Sequence, residues 1–282
     1  MSKRTPMSRP RVDKYSLYEA AVQCVDADLD FCERVYARAN GAPLRILRED
    51  FCATAAISCA FAARDASHLA IGVDLDARVL EQATRRNLSP LDAKTRSRVR
   101  LLHANVLEVT QPQVECVAAL NFSYWVFKRR ADLVAYFKTA CRSLRPGGLL
   151  VLDAFGGTDA SKASTDRRAI AATTVHDGTR VPRFTYVWRQ AHFDAVSHDF
   201  LCHIDFELRD GRTFKRAFTY DWRLWTLAEL RDALADAGFA ESAVYTDGWD
   251  EDEKEGDGIY RKRVRVENDG VWIAYVVARK AP

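Results

Sequence analysis

Nowhere in this 282-residue chain does an apolar run reach the length of a membrane-spanning helix, and the N-terminus lacks the apolar core of a signal peptide. The expectation is a soluble cytoplasmic protein with no membrane partner. Charge of one sign is missing too: 42 Lys and Arg face 39 Asp and Glu, a net charge of +3. A dedicated duplex binder carries a broad basic field, so nucleic acid is not an expected partner. The seven cysteines include no Cys-x-x-Cys pair, and the six histidines lack ligand spacing. Reduced thiols are expected, with neither a disulfide framework nor a metal site. The acidic run from Asp250 to Gly258 lacks the alternating ligand order of a calcium loop and reads as a solvated hairpin tip. Finally, no G-x-G-x-x-G follows any strand-like run, which removes the dinucleotide fingerprint.

What is present is an alternation. Four apolar runs, Leu44–Leu47, Leu69–Val73, Val99–Leu102 and Val117–Leu120, each end in a polar turn, and helical segments separate them. A fifth run, Leu149–Phe155, follows the turn Arg145-Pro146-Gly147-Gly148. Continuous apolar strands alternating with helices predict a parallel sheet covered on both faces. Ligands of such sheets sit at the carboxyl ends of the strands, where the winding reverses.

On these residues the chain resembles the class I S-adenosylmethionine-dependent methyltransferases. Leu47–Ala55 takes the place of that family's glycine-rich first motif, with Glu49 at its acidic position and Cys52-Ala53-Thr54 similar to its Cys-Gly-Thr. Asp74 falls where the family grips the ribose, and Asn105 where an Asp commonly meets the adenine amino group. The resemblance implies a Rossmann-like α/β fold with a mostly parallel seven-stranded sheet, and S-adenosyl-L-methionine as cofactor. It places Glu49, Phe51, Cys52, Ala53, Thr54, Asp74, Leu75, Asn105, Val106 and Asn121 around that cofactor. One departure stands out: Phe51, Ala53 and Ala55 occupy positions where glycine permits positive φ. Alanine is the smallest residue that still has a Cβ, so the turn survives there if its φ angles are negative.

Five segments follow. Residues 1–13 form a basic arm interrupted by Pro6 and Pro10, and 14–43 an N-terminal helical lid. The cofactor-binding core spans 44–157. From 158 to 225 the period becomes two, as in Phe184–Trp188, His203–Leu208 and Thr213–Tyr220, which predicts an antiparallel insertion covering the substrate. Residues 226–282 hold a helix capped by Thr226 and Glu229 and the closing strands of the main sheet.

Methyl transfer from a sulfonium is an in-line displacement, so alignment of donor and acceptor supplies much of the rate, and a strong base is needed only for an acceptor proton of high pKa. Asn121-Phe122-Ser123-Tyr124 resembles the Asn-Pro-Pro-Tyr of amino-methyltransferases without its prolines. That resemblance makes Asn121 and Tyr124, with Tyr18 from the lid, the candidate catalytic residues. Tyr15, Trp125, Tyr220 and Arg223 are candidates for the acceptor, the aromatics as walls and Arg223 as a clamp on a carboxylate. The same rings read equally as core, and Arg223 as a partner of Asp221. The expected acceptor is a small molecule, nitrogen favoured over oxygen. RNA or protein acceptors stay open, and so does a non-catalytic relative that binds or scaffolds. Residue types set no oligomeric state.

Overall fold

The computed structural model describes residues 12–250, 255–268 and 270–282. Most of the basic arm and the tip of the acidic run lie outside them. Helices are α1 Lys14–Ala21, α2 Val25–Asn40, α3 Ala56–Arg64, α4 Ala77–Ala83, α5 Ala93–Arg96, α6 Arg130–Ser143 and α7 Leu227–Asp236. The strands in chain order are β1 Ile46–Asp50, β2 Leu69–Asp74, β3 Val99–His103, β4 Val114–Ala119 and β5 Leu144–Gly156. Next come β6 Ser164–Ile170, β7 Thr173–Thr174, β8 Arg180–Val181, β9 Phe184–Phe193, β10 Asp199–Leu208 and β11 Thr213–Arg223. The last are β12 Glu241–Thr246, β13 Trp249–Asp250, β14 Glu255–Gly256, β15 Arg261–Arg263 and β16 Trp272–Arg279.

An eight-stranded sheet in the order β15-β12-β16-β5-β4-β1-β2-β3 forms the centre. Strands β1 to β5 run parallel, and β16 inserts antiparallel between β5 and β12. Winding reverses at β1, whose neighbours are β2 and β4, and this opens the crevice where such sheets hold ligands. The expected seven strands become eight because the short basic strand β15 pairs with β12 at the edge. One apolar layer packs α2 and α3 through Leu29, Phe31, Val35, Ile57 and Phe61 onto one face of the sheet. On the other face α6 and α7 bury Leu133, Phe137, Leu230 and Leu234. No helix among the described residues is long and apolar enough to cross a membrane.

The period-two segments form a second, antiparallel sheet in the order β11-β10-β9-β6. Strand β6 escapes the hydropathy pattern because it is a polar edge, its residues almost all exposed. Helix α1 packs on this insertion: Leu17 is buried among Val181, Phe184, Tyr186 and Phe206. Asp13 starts α1 with a capping box closed by Ser16, and Gly41 ends α2 in the left-handed conformation. Of the segment 14–43, therefore, only α1 sits with the insertion, while α2 is a layer of the main fold.

Candidate active site

Strand β1 runs three residues beyond its apolar part. Arg48, Glu49 and Asp50 are all buried, because each charge finds a partner as side chains alternate across the sheet. On one face Arg48 Nε lies 2.8 Å from Asp50 Oδ1, Arg48 donates to the Val109 carbonyl at 2.8 Å, and the Tyr136 hydroxyl donates to Asp50 at 3.0 Å. On the other face Glu49 Oε2 accepts from the Ser58 N–H at 2.9 Å and its hydroxyl at 2.6 Å. Glu49 Oε1 has no hydrogen-bond partner among the described residues.

The loop after β1 adopts what a glycine loop would: φ is 56° at Phe51, 46° at Ala53 and 53° at Ala55. The loop therefore does not take the negative φ angles that suit alanine. A left-handed non-glycine residue costs roughly 1–2 kcal/mol, so such a loop persists only where its surroundings hold it. Cys52 N–H donates to the Val73 carbonyl at 2.9 Å, and Ala53 N–H to Asp74 Oδ2 at 2.9 Å. Asp74 Oδ1 accepts from Asp76 N–H at 2.9 Å. The carboxylate thus braces its loop with one lone pair per oxygen and keeps the others for a ligand. Leu75 beside it is 68% exposed, an apolar surface at the strand end.

Asn105 Oδ1 accepts from Leu107 N–H at 3.0 Å, so its amide nitrogen is the group left to meet a base edge. Val106 is buried in the core. Cys52 and Thr54 are buried as well; burial pushes the Cys52 thiol up, and the Thr54 carbonyl accepts from Asn87 at 2.9 Å. Phe51 turns its ring to Tyr136 and Phe127, at 5.6 and 6.0 Å between centroids. From this loop, backbone rather than side chains faces the crevice at Phe51 and Cys52.

At the end of β4 a second left-handed pair occurs, φ 56° at both Asn121 and Phe122. Asp153 at the neighbouring end of β5 takes both their N–H groups, Asn121 to Oδ2 at 2.7 Å and Phe122 to Oδ1 at 2.8 Å. The chain then makes a 3₁₀ turn, Ser123–Val126, that carries the next side chains under the sheet. Tyr124 and Trp125 are both 0% exposed. The Tyr124 hydroxyl donates to the Asp153 carbonyl at 2.8 Å, and Trp125 lies among Phe122, Phe155, Phe200 and Trp222. Contact of either with an acceptor is thereby contradicted; their core alternative describes them. Arg223 is committed too, stacked 3.8 Å over Trp225, paired with Glu229 at 2.9 Å and donating to the Lys128 carbonyl at 3.2 Å. The clamp reading gives way to a structural one, with Glu229 as partner in place of Asp221, which pairs with Lys128.

Tyr15 and Tyr18, one turn apart on α1, are half-buried and lie against Phe218 of the insertion. Burial raises the pKa of both. Asp74 and Asp76 add to the effect at Tyr15, while Tyr18 faces Tyr220 and Asp153. Tyr220 stacks on Trp222 at 4.1 Å. The helix thus spans the crevice from the Asp74 side to the Asp153 side.

Two acidic residues here were missed in the sequence. Asp28 of α2 is buried and hydrogen-bonded by the Tyr275 hydroxyl; burial lifts it to about 6. Asp153 is lifted to about 7, by burial first and then by the charge of Asp28. Glu49 rises to about 8, again by burial, with Asp74 and Asp28 adding to it. Only an Asp closing an apolar strand at its carboxyl end signalled Asp153; Asp28 looked like the solvated face of a helix. These carboxyls lose water, and among the described residues none of the three forms an ion pair with a cation. A cavity of about 680 Å³, lined by none of these carboxyls, opens between the α1–α2 connection, the alanine stripe Ala56, Ala60 and Ala63 of α3, and β7.

A family model described as a methyltransferase domain matches residues 50–152. Among solved structures the chain is similar to the S-adenosylmethionine-bound amino pentose methyltransferase CalS10 of Micromonospora echinaspora. Identity is 18% and the TM-score 0.64, over 95% of this chain and 99% of that one. It is similar also to DesVI of Streptomyces venezuelae, at 14% identity and TM-score 0.66 over 94% and 99% of the two chains. A third likeness is to the sugar N-methyltransferase KedS8 of a Streptoalloteichus species, 16% identical with TM-score 0.59 over 100% and 98%. At these identities the likeness is one of fold. No curated protein sequence matches the chain.

Proposed function

Because this chain belongs to the class I S-adenosylmethionine-dependent methyltransferase family, we propose that it methylates a small-molecule amine in the crevice between α1, the insertion and the ends of β1, β4 and β5. The observation that carries the reading is the set of carboxyl groups at that crevice, Glu49, Asp74 and Asp153, with Asp28 of α2 close enough for its charge to act on Glu49 and Asp153, together with an Asn121 side-chain amide that has no hydrogen-bond partner among the described residues. A cationic donor and an amine acceptor both complement it, while an acceptor carboxylate or phosphate is repelled.

The residues present fit the donor. The left-handed loop around Ala53 follows the path glycine would give, Asp74 keeps free lone pairs for ribose hydroxyls, and Leu75 offers an apolar surface to a purine. Glu49 Oε1 is the group for an ammonium. When bound, S-adenosylmethionine supplies a methyl group already activated on sulfonium sulfur. The protein's part is then alignment: Asn121 accepts a hydrogen bond from the acceptor N–H and turns the nitrogen lone pair toward the methyl. An amine that arrives protonated gives its proton to water or to a crevice carboxylate before transfer. Tyr15, Tyr18 and Tyr220 wall the crevice and exclude water. Likeness to the sugar N-methyltransferase KedS8 and to the amino pentose methyltransferase CalS10 supports nitrogen over oxygen.

The test has two stages. Calorimetric titration with S-adenosylmethionine and S-adenosylhomocysteine should give saturable binding, weakened in Asp74→Ala by about 1.5–3 kcal/mol through loss of charge-assisted hydrogen bonds. Unchanged affinity in a folded Asp74→Ala protein overturns the donor site. Radiolabelled methyl transfer to a panel of amino sugars and simple amines, matched to their hydroxyl analogues, should label only the amines, and label on the hydroxyl set would reverse the acceptor reading.

A further inference from the structure

Resting on the reading above, we propose that Asp153 is a positioning residue: its carboxylate holds the Asn121–Phe122 turn in the left-handed form and so fixes where Asn121 meets the methyl acceptor. Three hydrogen bonds tie Asp153 to the five residues after β4. Its two oxygens take the Asn121 and Phe122 N–H groups at 2.7 and 2.8 Å, and its carbonyl takes the Tyr124 hydroxyl at 2.8 Å. The last β4–β5 pair in register is Ala119 with Leu152, so no ladder bond shapes the turn beyond that point. Asn121 and Phe122 both carry φ of 56°, which a phenylalanine rarely adopts and holds only when its surroundings dictate it. The Ser123 hydroxyl adds one bond, to the Leu120 carbonyl at 2.6 Å. The Asn121 side-chain amide makes no hydrogen bond among the described residues, so its place in the crevice follows from its backbone alone.

Only the ionised carboxylate accepts two N–H bonds on two oxygens without loss; a protonated oxygen must spend its hydrogen on another acceptor. The groups that face Asp153 are Asp28 from α2, Tyr18 from α1, Tyr124, Tyr260 and Tyr275. None of them is a cation; burial first and then the charge of Asp28 raise Asp153 to about 7, against the lowering effect of the Phe122 and Asn121 N–H groups. The turn therefore tightens as pH rises through neutrality.

Asn121-Phe122 is the chain's one Asn-Phe pair, so labelling Asn carbonyl carbon and Phe nitrogen yields a single amide signal, that of Phe122. In the wild-type protein this proton resonance should move downfield with a midpoint near pH 7, and in Asp153→Asn it should stay upfield and flat. The bound methyl of S-[¹³C-methyl]-adenosylmethionine should follow the same midpoint in the wild type and lose it in the variant, while the donor Kd changes less than threefold. With any amine the panel yields, kcat should fall at least tenfold in Asp153→Asn and KM for the donor hold. A Phe122 amide whose shift is the same in the wild type and in Asp153→Asn at every pH between 5.5 and 8.5 overturns the inference, and so does a methyl signal that is the same in both proteins. Failure of the donor to bind at all strikes the functional reading instead and leaves the amide titration to decide the clamp.

Discussion

Ala53 carries a methyl group in a conformation that suits none, with φ of 46°. It is half-exposed and its N–H is bound to Asp74, so removing the methyl disturbs no core. Ala53→Gly should relieve roughly 1–2 kcal/mol of left-handed strain against about 0.5–1 kcal/mol of added unfolded-chain entropy. Net stabilisation of about 0.5–1 kcal/mol is expected by chemical denaturation, with donor affinity retained; a destabilised Gly variant would mean that the loop is not strained. The residue scale is also where the sequence misled. Ala and Phe in place of glycine suggested another backbone, yet the hydrogen bonds that the Cys52 and Ala53 N–H groups donate to Val73 and Asp74 hold the glycine path. Tyr124 and Trp125 follow a strand end, where acceptor residues belong, but a 3₁₀ turn buries them, and no periodicity announces a single turn. Glu49, Asp74 and Asn121 were legible because their places follow from the order of strands.

At the scale of elements, Arg86 deserves the closest look. It stands in a single π-helical turn, Thr84–Leu88, after α4, only 5% exposed at its side chain. Its guanidinium reaches Asp13 at 3.0 Å, the N-cap of α1, and Asp177 at 3.0 Å, in the turn between β7 and β8; Glu19 of α1 lies 3.8 Å away. One cation of the core therefore holds both the lid helix and the insertion. Removing one partner of a buried charge cluster costs about 3–5 kcal/mol, because the others remain desolvated. Arg86→Met should cost on that order and, by hydrogen exchange, expose 13–22 and 173–181 well before the central sheet; equal loss of protection everywhere would deny it a role as latch. The sequence showed the helices and the alternating strands but not this joint, since an arginine on an amphipathic helix normally faces water. It likewise ended β1 at Leu47, where hydropathy stops, although Arg48 and Asp50 neutralise each other and let the strand continue.

At the scale of the whole molecule three of the raised carboxyls, Asp28, Glu49 and Asp153, set a pH dependence, and burial raises Glu19, Asp50 and Asp247 in the same sense. Unfolded, these groups ionise near their ordinary values, 3.8 for Asp and 4.5 for Glu; folded, Asp28, Asp153 and Glu49 hold their protons to about 6, 7 and 8. The folded state is then the proton-richer one, so stability declines as pH rises through the interval and the decline is complete above pH 8. His203, lowered by burial from 6.5, acts in the opposite sense at more acidic pH, so the window from pH 6.5 to 8.5 reads the carboxyls most directly. Tm should fall across that window, less steeply in Glu49→Gln and less steeply again with saturating S-adenosylmethionine, whose sulfonium favours the ionised forms. A Tm that rises from pH 6.5 to 8.5 would show these carboxyls to be ionised already. The α/β architecture and its strand-end crevice were legible from the alternation alone. The charge state of the crevice was not, because burial of Asp28 depends on a contact with Tyr275, far along the chain.

That contact bears on how the protein is made. Strand β16 supplies Tyr275, whose ring stacks 4.0 Å from Phe31 and whose hydroxyl meets Asp28, and it enters the sheet between β5 and β12. Helix α2 leaves the ribosome well before β16, so for tens of seconds of synthesis at ~5–20 residues per second the nascent chain holds Phe31 and Asp28 without the strand that covers them. The central sheet is thus completed only once β16 has emerged, and a transcript cut short before residue 272 yields a chain that chaperones and proteases will recognise.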